Sequence, residues 1–387
     1  MFDFLKGRKV QEAVGPPLTF SEAFAVVALG VIALNIIGVM PVLLGALQDE
    51  HRLGASGIGI TAMLELLSMG ISTGLCGALL PAARMRTIGV VASLILAAIH
   101  IAGMAASGVG VMAVRTAAGV PEGVLLWITV GMIARSRTPE RWSGVFFTSQ
   151  GVAQLILAGV FWLWMGRFGA NGGFLILSLT TLLGAPIALL APSRYKALAQ
   201  SEGLHGAPPL RGWIALLATV VLIAANGAVS VYLEPLGRQI GLSAGVARAA
   251  LFVSLVAQVA GGVTATLIAG KVRYIWVFTL CVVAYLVAWA VYGFGGHAWM
   301  FIAATALAGV TTLLLSPFIT PMVIQADPTR RAAMQGGGAQ ILGGAMGPLL
   351  AAFLVSDSDV RGVLVLGAGA LLLGFGMIVA LHLTTRK

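Results

Sequence analysis

Residues 110–134 read GVMAVRTAAGVPEGVLLWITVGMIA, an apolar stretch interrupted by two charged residues, Arg115 and Glu122. A helix that crosses a bilayer needs about 20 predominantly apolar residues, so this stretch predicts a transmembrane helix. Placing an ionisable side chain at the centre of a bilayer costs about 2.5–3.5 kcal/mol on insertion scales. Arg115 and Glu122 therefore indicate either a function inside the membrane or a buried structural ion pair.

The rest of the chain has the same character. Its 387 residues are 59% hydrophobic and 9% charged, against about 25% charged in soluble domains, and the mean hydropathy is +1.00. This composition excludes a soluble globular enzyme, a disordered protein and a disulfide-stapled module. It predicts an all-α membrane protein with twelve transmembrane helices. The predicted spans are residues 21–45, 55–80, 87–107, 110–134, 142–166, 171–191, 211–235, 246–270, 273–294, 298–324, 332–356 and 361–383.

The basic residues predict the orientation of these spans. With a cytoplasmic N-terminus, 17 of the 23 Lys and Arg residues lie in cytoplasmic segments, five lie outside, and Arg115 lies within a span. Cytoplasmic loops of membrane proteins carry an excess of Lys and Arg. The split therefore predicts a multi-pass protein of the cytoplasmic (inner) membrane with both termini in the cytoplasm. It also explains the net charge of +10 without a nucleic-acid partner.

The two halves of the chain resemble each other. A loop at residues 192–210 separates a six-helix half at 1–191 from a second at 211–387, and we interpret this loop as a cytoplasmic linker. The segment Arg115-Thr-Ala-Ala-Gly119-Val120 aligns with Thr305-Ala-Leu-Ala-Gly309-Val310 at an offset near 190. The matched order of several such segments indicates a duplicated six-helix unit, an arrangement common in transporters.

Two parallel six-helix halves resemble the architecture of the major facilitator superfamily (MFS). Arg115-x-x-x-Gly119 is similar to the arginine motif of the family's fourth helix, with Ala118 where the family has glutamine. Gly343-x-x-x-Gly347-Pro348 resembles an antiporter motif, but lies in the eleventh predicted helix instead of the fifth. The loop after the second span lacks the family's Asp, which Pro81 and Ala82 replace. The resemblance implies an MFS fold, alternating access and a conformational or gating role for Gly77, Arg84, Arg86, Gly119, Gly347 and Pro348.

Ionisable residues within the spans are the candidates for proton coupling: Glu65, Arg115 and Glu122. Thr61, Glu65, Ser68 and Ser72 fall on one face of the second helix. Arg115 and Glu122 are seven residues apart, about 10.5 Å along a helix, so Glu65 or a ligand could bridge them. The alternative is a structural ion pair. We interpret His100 in the third span as a neutral histidine bonded to a backbone carbonyl.

Neutral polar residues predict a cavity in which the first half carries charge and the second carries hydrogen-bonding groups. Thr305 and Thr312 align with Arg115 and Glu122 in the repeat. A polar face on an apolar helix should turn to the protein interior or to water. The predicted substrate-cavity residues are Asn35, Ser68, Gln150, Gln154, Asn226, Ser230, Gln258, Thr305, Thr312 and Gln340.

These features predict a secondary active transporter that moves a small organic solute by alternating access, with proton coupling. Uptake of an organic acid held by Arg115 and proton-driven efflux of amphipathic or cationic compounds are equally compatible with the residues. A lipid flippase or a non-transporting receptor on the same scaffold is the alternative from another class. The chain has no nucleotide-binding loop, metal-ligand spacing or nucleophile–base pair. We therefore expect no cofactor, no metal, no enzyme activity and a monomer whose partners are solute, protons and lipid.

Overall fold

The computed structural model describes residues 18–53, 55–136, 138–195, 207–294, 297–355 and 359–385, and these residues are helical with short connections. A membrane interior offers no water to backbone groups, so a helix satisfies them within one segment. The helices are α1 Phe20–Asp49, α2 Ala55–Leu79, α3 Met85–Gly103, α4 Val109–Arg135, α5 Pro139–Leu182, α6 Gly184–Leu189, α7 Leu210–Ser230, α8 Leu233–Gln239, α9 Ala244–Ile268, α10 Tyr274–Phe294, α11 Ala298–Ala326, α12 Arg331–Ala352 and α13 Gly362–Thr385.

Each of the twelve predicted spans overlaps a helix of the structure. Ten helical segments among the described residues are long and apolar enough to cross a membrane, which confirms a multi-pass membrane protein. The count of twelve is not confirmed by this criterion. In α9 the apolar run is the shorter stretch Phe252–Ile268, and α12 is not among the ten. Arg137, most of the proposed linker and the basic residues of both termini lie outside the described residues.

Helix α5 contains two predicted spans joined without a loop. Gly169 lies between them with φ +58° and ψ −153°, a conformation that L side chains rarely adopt and glycine adopts readily. The next backbone N–H, that of Ala170, donates a hydrogen bond of 2.6 Å to Glu50 Oε1. The break at Gly169 therefore separates residues 142–166 from 171–191, as the hydropathy pattern predicts, although the helix resumes at once.

The helices form two compact units. The first draws its described residues from Met1–Arg137, Val152–Pro208 and Thr329–Gly338, and the second from Thr138–Gly151, Pro209–Pro328 and Ala339–Lys387. Two helices, α5 and α12, thus contribute to both units. The division of the chain at a linker of residues 192–210 stays a prediction.

Glycines bring α2 and α4 into backbone contact in the first unit. A Cβ atom at Gly119 would collide with the carbonyl oxygen of Glu65, and one at Gly123 would lie 2.5 Å from that of Met69. Thr73 Oγ1 adds a hydrogen bond of 3.1 Å to the carbonyl of Gly123. Small residues spaced i, i+4 allow membrane helices to approach closely. The motif Gly119-x-x-x-Gly123 thus fixes the face of α4 that carries Arg115.

The second unit repeats this contact between α9 and α11. A Cβ at Gly309 would lie 2.5 Å from the carbonyl oxygen of Ser254. Gly309 aligns with Gly119 in the sequence repeat, and Ser254 takes the place of Glu65 in this contact. The same backbone approach therefore occurs at equivalent positions of both units, which agrees with the predicted duplication.

Candidate functional site: a buried charge cluster

Buried polar contacts from neighbouring helices surround the guanidinium of Arg115. Its Nε donates to Glu65 Oε2 at 2.9 Å, and its Nη2 donates to Glu65 Oε1. This bidentate pairing matches the planar fork of arginine to a carboxylate and is among the strongest side-chain interactions. Helices α2 and α4 position the pair, since Arg115 lies about one helical turn from the Gly119 contact. Glu65 thus contacts Arg115 directly, one of the two arrangements left open by the sequence.

Glu122 lies next to this pair but is not part of it. Its Oε1 is 3.8 Å from Arg115 Nη2, longer than a hydrogen bond. Its Oε2 is buried and accepts no hydrogen bond from the described residues. Pro121 precedes Glu122 inside α4, and proline removes one backbone N–H from the helical ladder. The Glu65 and Glu122 carboxyl groups lie within hydrogen-bonding reach of each other. Their other contacts differ, because Glu65 also accepts two hydrogen bonds from Arg115, whereas Glu122 Oε2 accepts none from a described donor.

The cluster is closed to solvent. Arg115 and Glu65 have no exposed surface and Glu122 is 1% exposed. Thr61 and Ser72, from the predicted polar stripe of α2, are also buried, and Ser72 donates a hydrogen bond of 2.8 Å to the carbonyl of Val120 in α4. The stripe of α2 thus faces α4 and the protein interior.

The hydrogen-bond partner of His100 differs from the one expected. The sequence interpretation paired its ring with a backbone carbonyl, but His100 Nδ1 lies 3.0 Å from Arg115 Nη1 and the ring is 1% exposed. The presence of an ionisable side chain in the middle of an apolar span was the available signal.

Hydroxyl groups occupy the equivalent positions of the second unit. Thr305 donates to the carbonyl of Phe301 at 2.8 Å, and Thr312 Oγ1 lies 3.0 Å from the hydroxyl of Tyr285 in α10. Tyr285 is buried. The predicted asymmetry of charge in one half and neutral hydrogen bonding in the other is present at these positions, although the sequence analysis did not single out Tyr285.

The predicted substrate-cavity residues divide between the two units. In the first, Asn35 is buried with Oδ1 unpaired among the described residues, Gln154 Nε2 donates to the carbonyl of Leu34 at 3.0 Å, and Ser68 is half-buried. In the second, Gln150 and Thr305 are buried, Ser230 is exposed, and four are half-buried: Asn226, Gln258, Thr312 and Gln340. Their role as one cavity stays a prediction.

The predicted gating residues make backbone contacts. A Cβ on Gly77 would lie 2.6 Å from the carbonyl oxygen of Met334 in the first turn of α12, within the first unit. In the second unit a Cβ on Gly347 would lie 2.7 Å from the nitrogen of Ala228, which packs α12 on α7 beside Pro348. These glycines pack helices closely, and their role in gating remains to be tested.

The loop after α2 is joined to residues 191–195 by its backbone. Ala83 and Arg194 form an isolated antiparallel bridge, and Tyr195 N donates to the carbonyl of Ala82 at 2.9 Å. Arg86 Nε donates to the carbonyl of Ala191 at 2.6 Å, while Arg84 is exposed with a left-handed φ of 57°. Peptide hydrogen bonds thus occupy the place where the MFS pattern has its acidic residue.

Sequence analysis missed a further contact in the first unit. Arg330, between α11 and α12, donates from Nη1 to the carbonyls of Ala134 at 2.7 Å and Ser136 at 3.0 Å. These carbonyls end α4, where the helix dipole favours a cation. No signal in the single sequence pairs Arg330 with α4, because nearly 200 residues separate them.

The chain has the fold of the major facilitator superfamily of transporters. Solved structures with this fold include the human organic anion transporter MFSD10 (TETRAN), at a TM-score of 0.71 and 14% identity, covering 94% of this chain and 100% of that one. The MFS transporter FucP in its outward conformation has a TM-score of 0.72 at 12% identity, with 92% and 98% covered. The proton:xylose symporter XylE has a TM-score of 0.70 at 13% identity, with 93% and 95% covered. No protein-family model matches the sequence, and no curated protein matches it significantly.

Proposed function

We propose that this chain is a proton-coupled secondary transporter that moves a small organic solute across the cytoplasmic membrane by alternating access. The main support for this proposal is the environment of Glu122. Glu122 is a buried carboxyl beside an ion pair, and one of its oxygens accepts no hydrogen bond from the described residues. The carboxylate of Glu65 lies within hydrogen-bonding reach, so a proton on Glu122 has an acceptor beside it. In support, structures of this fold include a fucose:proton and a proton:xylose symporter.

The charge of the cluster favours a single proton. With both acids ionised and His100 neutral, Arg115, Glu65 and Glu122 together carry one net negative charge in a site without exposed surface. Burying an uncompensated charge is costly, and two close carboxylates favour a proton on one of them. Glu65 receives two hydrogen bonds from Arg115, so the proton belongs on Glu122. Glu65 and Arg115 then form a fixed ion pair beside it.

The burial of Arg115 bears on the choice of solute. A solute carboxylate would have to displace Glu65 from Arg115, which has no exposed surface. The proposal therefore assigns the charge cluster to the proton and the neutral polar residues of the predicted cavity to the solute. Uptake of an organic acid bound directly by Arg115 is the less favoured alternative. The orientation with both termini cytoplasmic and the monomeric state belong to the proposal on the sequence grounds given above.

The first experiment needs no solute. Purified protein is titrated by infrared spectroscopy in the region of protonated carboxylic acids, comparing wild type with Glu122→Gln and Glu65→Gln. A titrating band that Glu122→Gln abolishes supports the assignment. A band that persists in Glu122→Gln contradicts it.

The second experiment measures transport. Proteoliposomes with an imposed pH gradient are tested with radiolabelled L-fucose, D-xylose and benzoate as representative neutral and anionic solutes. The expected result is gradient-driven accumulation of at least one solute and loss of that accumulation in Glu122→Gln. Equal accumulation with and without the gradient would contradict proton coupling.

A further inference from the structure

His100 contacts the charge cluster from a third helix. Its ring lies in α3, and its Nδ1 is 3.0 Å from Arg115 Nη1. Glu65 takes the opposite edge of the guanidinium through Nε and Nη2. Arg115 is therefore held on two sides, by an acid from α2 and by an imidazole from α3, while Glu122 of its own helix is 3.8 Å away.

The chemistry of the two partners defines the state of His100. An arginine side chain has only donors and stays charged in proteins, so Nδ1 must accept the hydrogen bond. An accepting Nδ1 carries no proton, which leaves the neutral ring with its proton on Nε2. A second proton would place two donors and two positive charges against each other. Arg115 thus keeps His100 neutral, and His100 in turn keeps one arm of Arg115 engaged.

Among the described residues packed on α3, no other titratable group could take this role. The facing side of α4 contributes Arg115, with Glu65 and Glu122 behind it. Helix α6 consists of Gly184–Leu189, without a titratable residue. From α5, Ser178 donates to the carbonyl of Ala97 at 3.1 Å and Phe174 lies against Gly103. The state of the ring is therefore controlled by Arg115.

We propose that His100 is a positioning residue that, as a neutral acceptor, holds Arg115 on Glu65 and away from Glu122. This inference rests on the proposed function, in which Glu122 exchanges the proton. While Arg115 Nη1 is bonded to His100, the guanidinium cannot turn to donate a hydrogen bond to Glu122. The carboxyl then binds a proton more tightly than one paired with an arginine. His100 thereby sets the pH range over which the site is loaded.

The effect of removing His100 has a defined sign. In His100→Leu, the freed guanidinium can turn toward Glu122 and shorten the 3.8 Å separation to a hydrogen bond of about 2.8 Å. At an effective dielectric constant of about 20, this change stabilises the carboxylate by about tenfold in proton affinity. The midpoint of the Glu122 infrared band should therefore move to lower pH by about one unit.

The experiment compares three variants with wild type by the same infrared titration. His100→Leu should shift the midpoint to lower pH. His100→Gln, which retains an acceptor oxygen, should restore most of the wild-type midpoint. His382→Gln is the matched control, since His382 is also buried and its Nδ1 is bonded to the Tyr274 hydroxyl at 2.8 Å, and it should cause no shift. A midpoint in His100→Leu equal to that of wild type overturns the proposal.

A measurement on the wild-type protein keeps the test valid if His100→Leu does not fold. Nitrogen-15 NMR of labelled histidines, with the His100 signal assigned through His100→Gln, should show a neutral ring protonated on Nε2 throughout the titration of Glu122. A proton on Nδ1, or a charged ring, overturns the proposal.

If Glu122→Gln leaves the infrared band intact, the proposed proton site fails instead. If only the shift in His100→Leu is absent, the proton site stands and the positioning role falls.

Discussion

In the first unit, Gly119 of α4 lies on the carbonyl of Glu65 in α2, and in the second, Gly309 of α11 lies on the carbonyl of Ser254 in α9. About one turn from this contact, the first unit buries Arg115 against Glu65, while the second buries Thr305 bonded to its own helix. The two helix pairs therefore share their backbone packing and differ in their buried chemistry. Helix packing and proton chemistry can thus be tested separately, with each unit as the control for the other.

The largest expected difference between the units follows from removing the cation. Arg115→Leu leaves Glu65 without a counter-ion, and breaking a buried pair from one side costs about 3–5 kcal/mol. Thr305→Val, at the equivalent position, should cost about 1 kcal/mol. Equilibrium unfolding in mixed detergent measures both. The double variant Arg115→Leu with Glu65→Leu should recover most of the loss, and equal losses for the two single variants would contradict the comparison.

Glycine substitutions should affect the units equally. Gly119→Val and Gly309→Val each force a side chain against a backbone carbonyl, and overpacking of this kind costs about 1–3 kcal/mol. The same unfolding assay should show losses of similar size. Only Gly119→Val should also change the infrared titration, because it separates α2 from α4 next to the charge cluster. A change in that titration caused by Gly309→Val would show that the units are not independent in this respect.

Substitutions of single polar groups should have smaller effects on stability that also differ between the two units. Tyr285→Phe removes the partner of Thr312 in the second unit and should cost about 0.5–1.5 kcal/mol at every pH. Glu122→Gln in the first unit should change stability little near neutral pH and should abolish the titrating carboxylic-acid band. Unfolding measured across a pH series distinguishes them, and a pH-dependent effect of Tyr285→Phe would be evidence against neutral hydrogen bonding at this position.

The smallest expected effect lies in a loop of the second unit. The backbone N–H of Arg361 and the side chain of Gln239 donate to Asp359 Oδ1 at 2.9 and 2.7 Å, and they lower the pKa of Asp359 below its usual 3.8. A lowered folded-state pKa adds stability that is complete above the usual value and is lost as pH falls through the lowered one. Gln239→Ala should therefore slightly reduce the thermal midpoint at neutral pH, and the difference from wild type should vanish in strong acid.

Much of the scaffold could be predicted from the sequence, because hydropathy and glycine spacing act locally. Each of the twelve predicted spans overlaps a helix, and the motif Gly119-x-x-x-Gly123 packs α4 on α2. The break between residues 166 and 171 was also anticipated, although Gly169 makes it within one continuous helix. These features depend on lengths and periodicities that a single chain displays directly.

The partners within the charge cluster could be predicted only in part. The sequence indicated Glu65, Arg115 and Glu122 because each is an ionisable residue within an apolar span. It could not show that Arg115 forms a bidentate pair with Glu65. Nor could it show that Arg115 Nη2 lies 3.8 Å from Glu122 Oε1. That choice, like the contact with His100, depends on the rotation of three helices about their axes, which distant packing determines. Arg330 and Ala134 are likewise joined only by tertiary structure.

The glycine contact also bears on how the two copies could diverge. Gly119 and Gly309 meet carbonyl oxygens, which every residue provides regardless of its side chain. Substitution at positions a turn away, such as Arg115 and Thr305, therefore leaves this contact in place. One copy of a duplicated unit could thus acquire charges while the other acquired hydroxyl groups, with no need to rebuild the helix pair. Main-chain packing of this kind makes a duplicated scaffold tolerant of new chemistry in either copy.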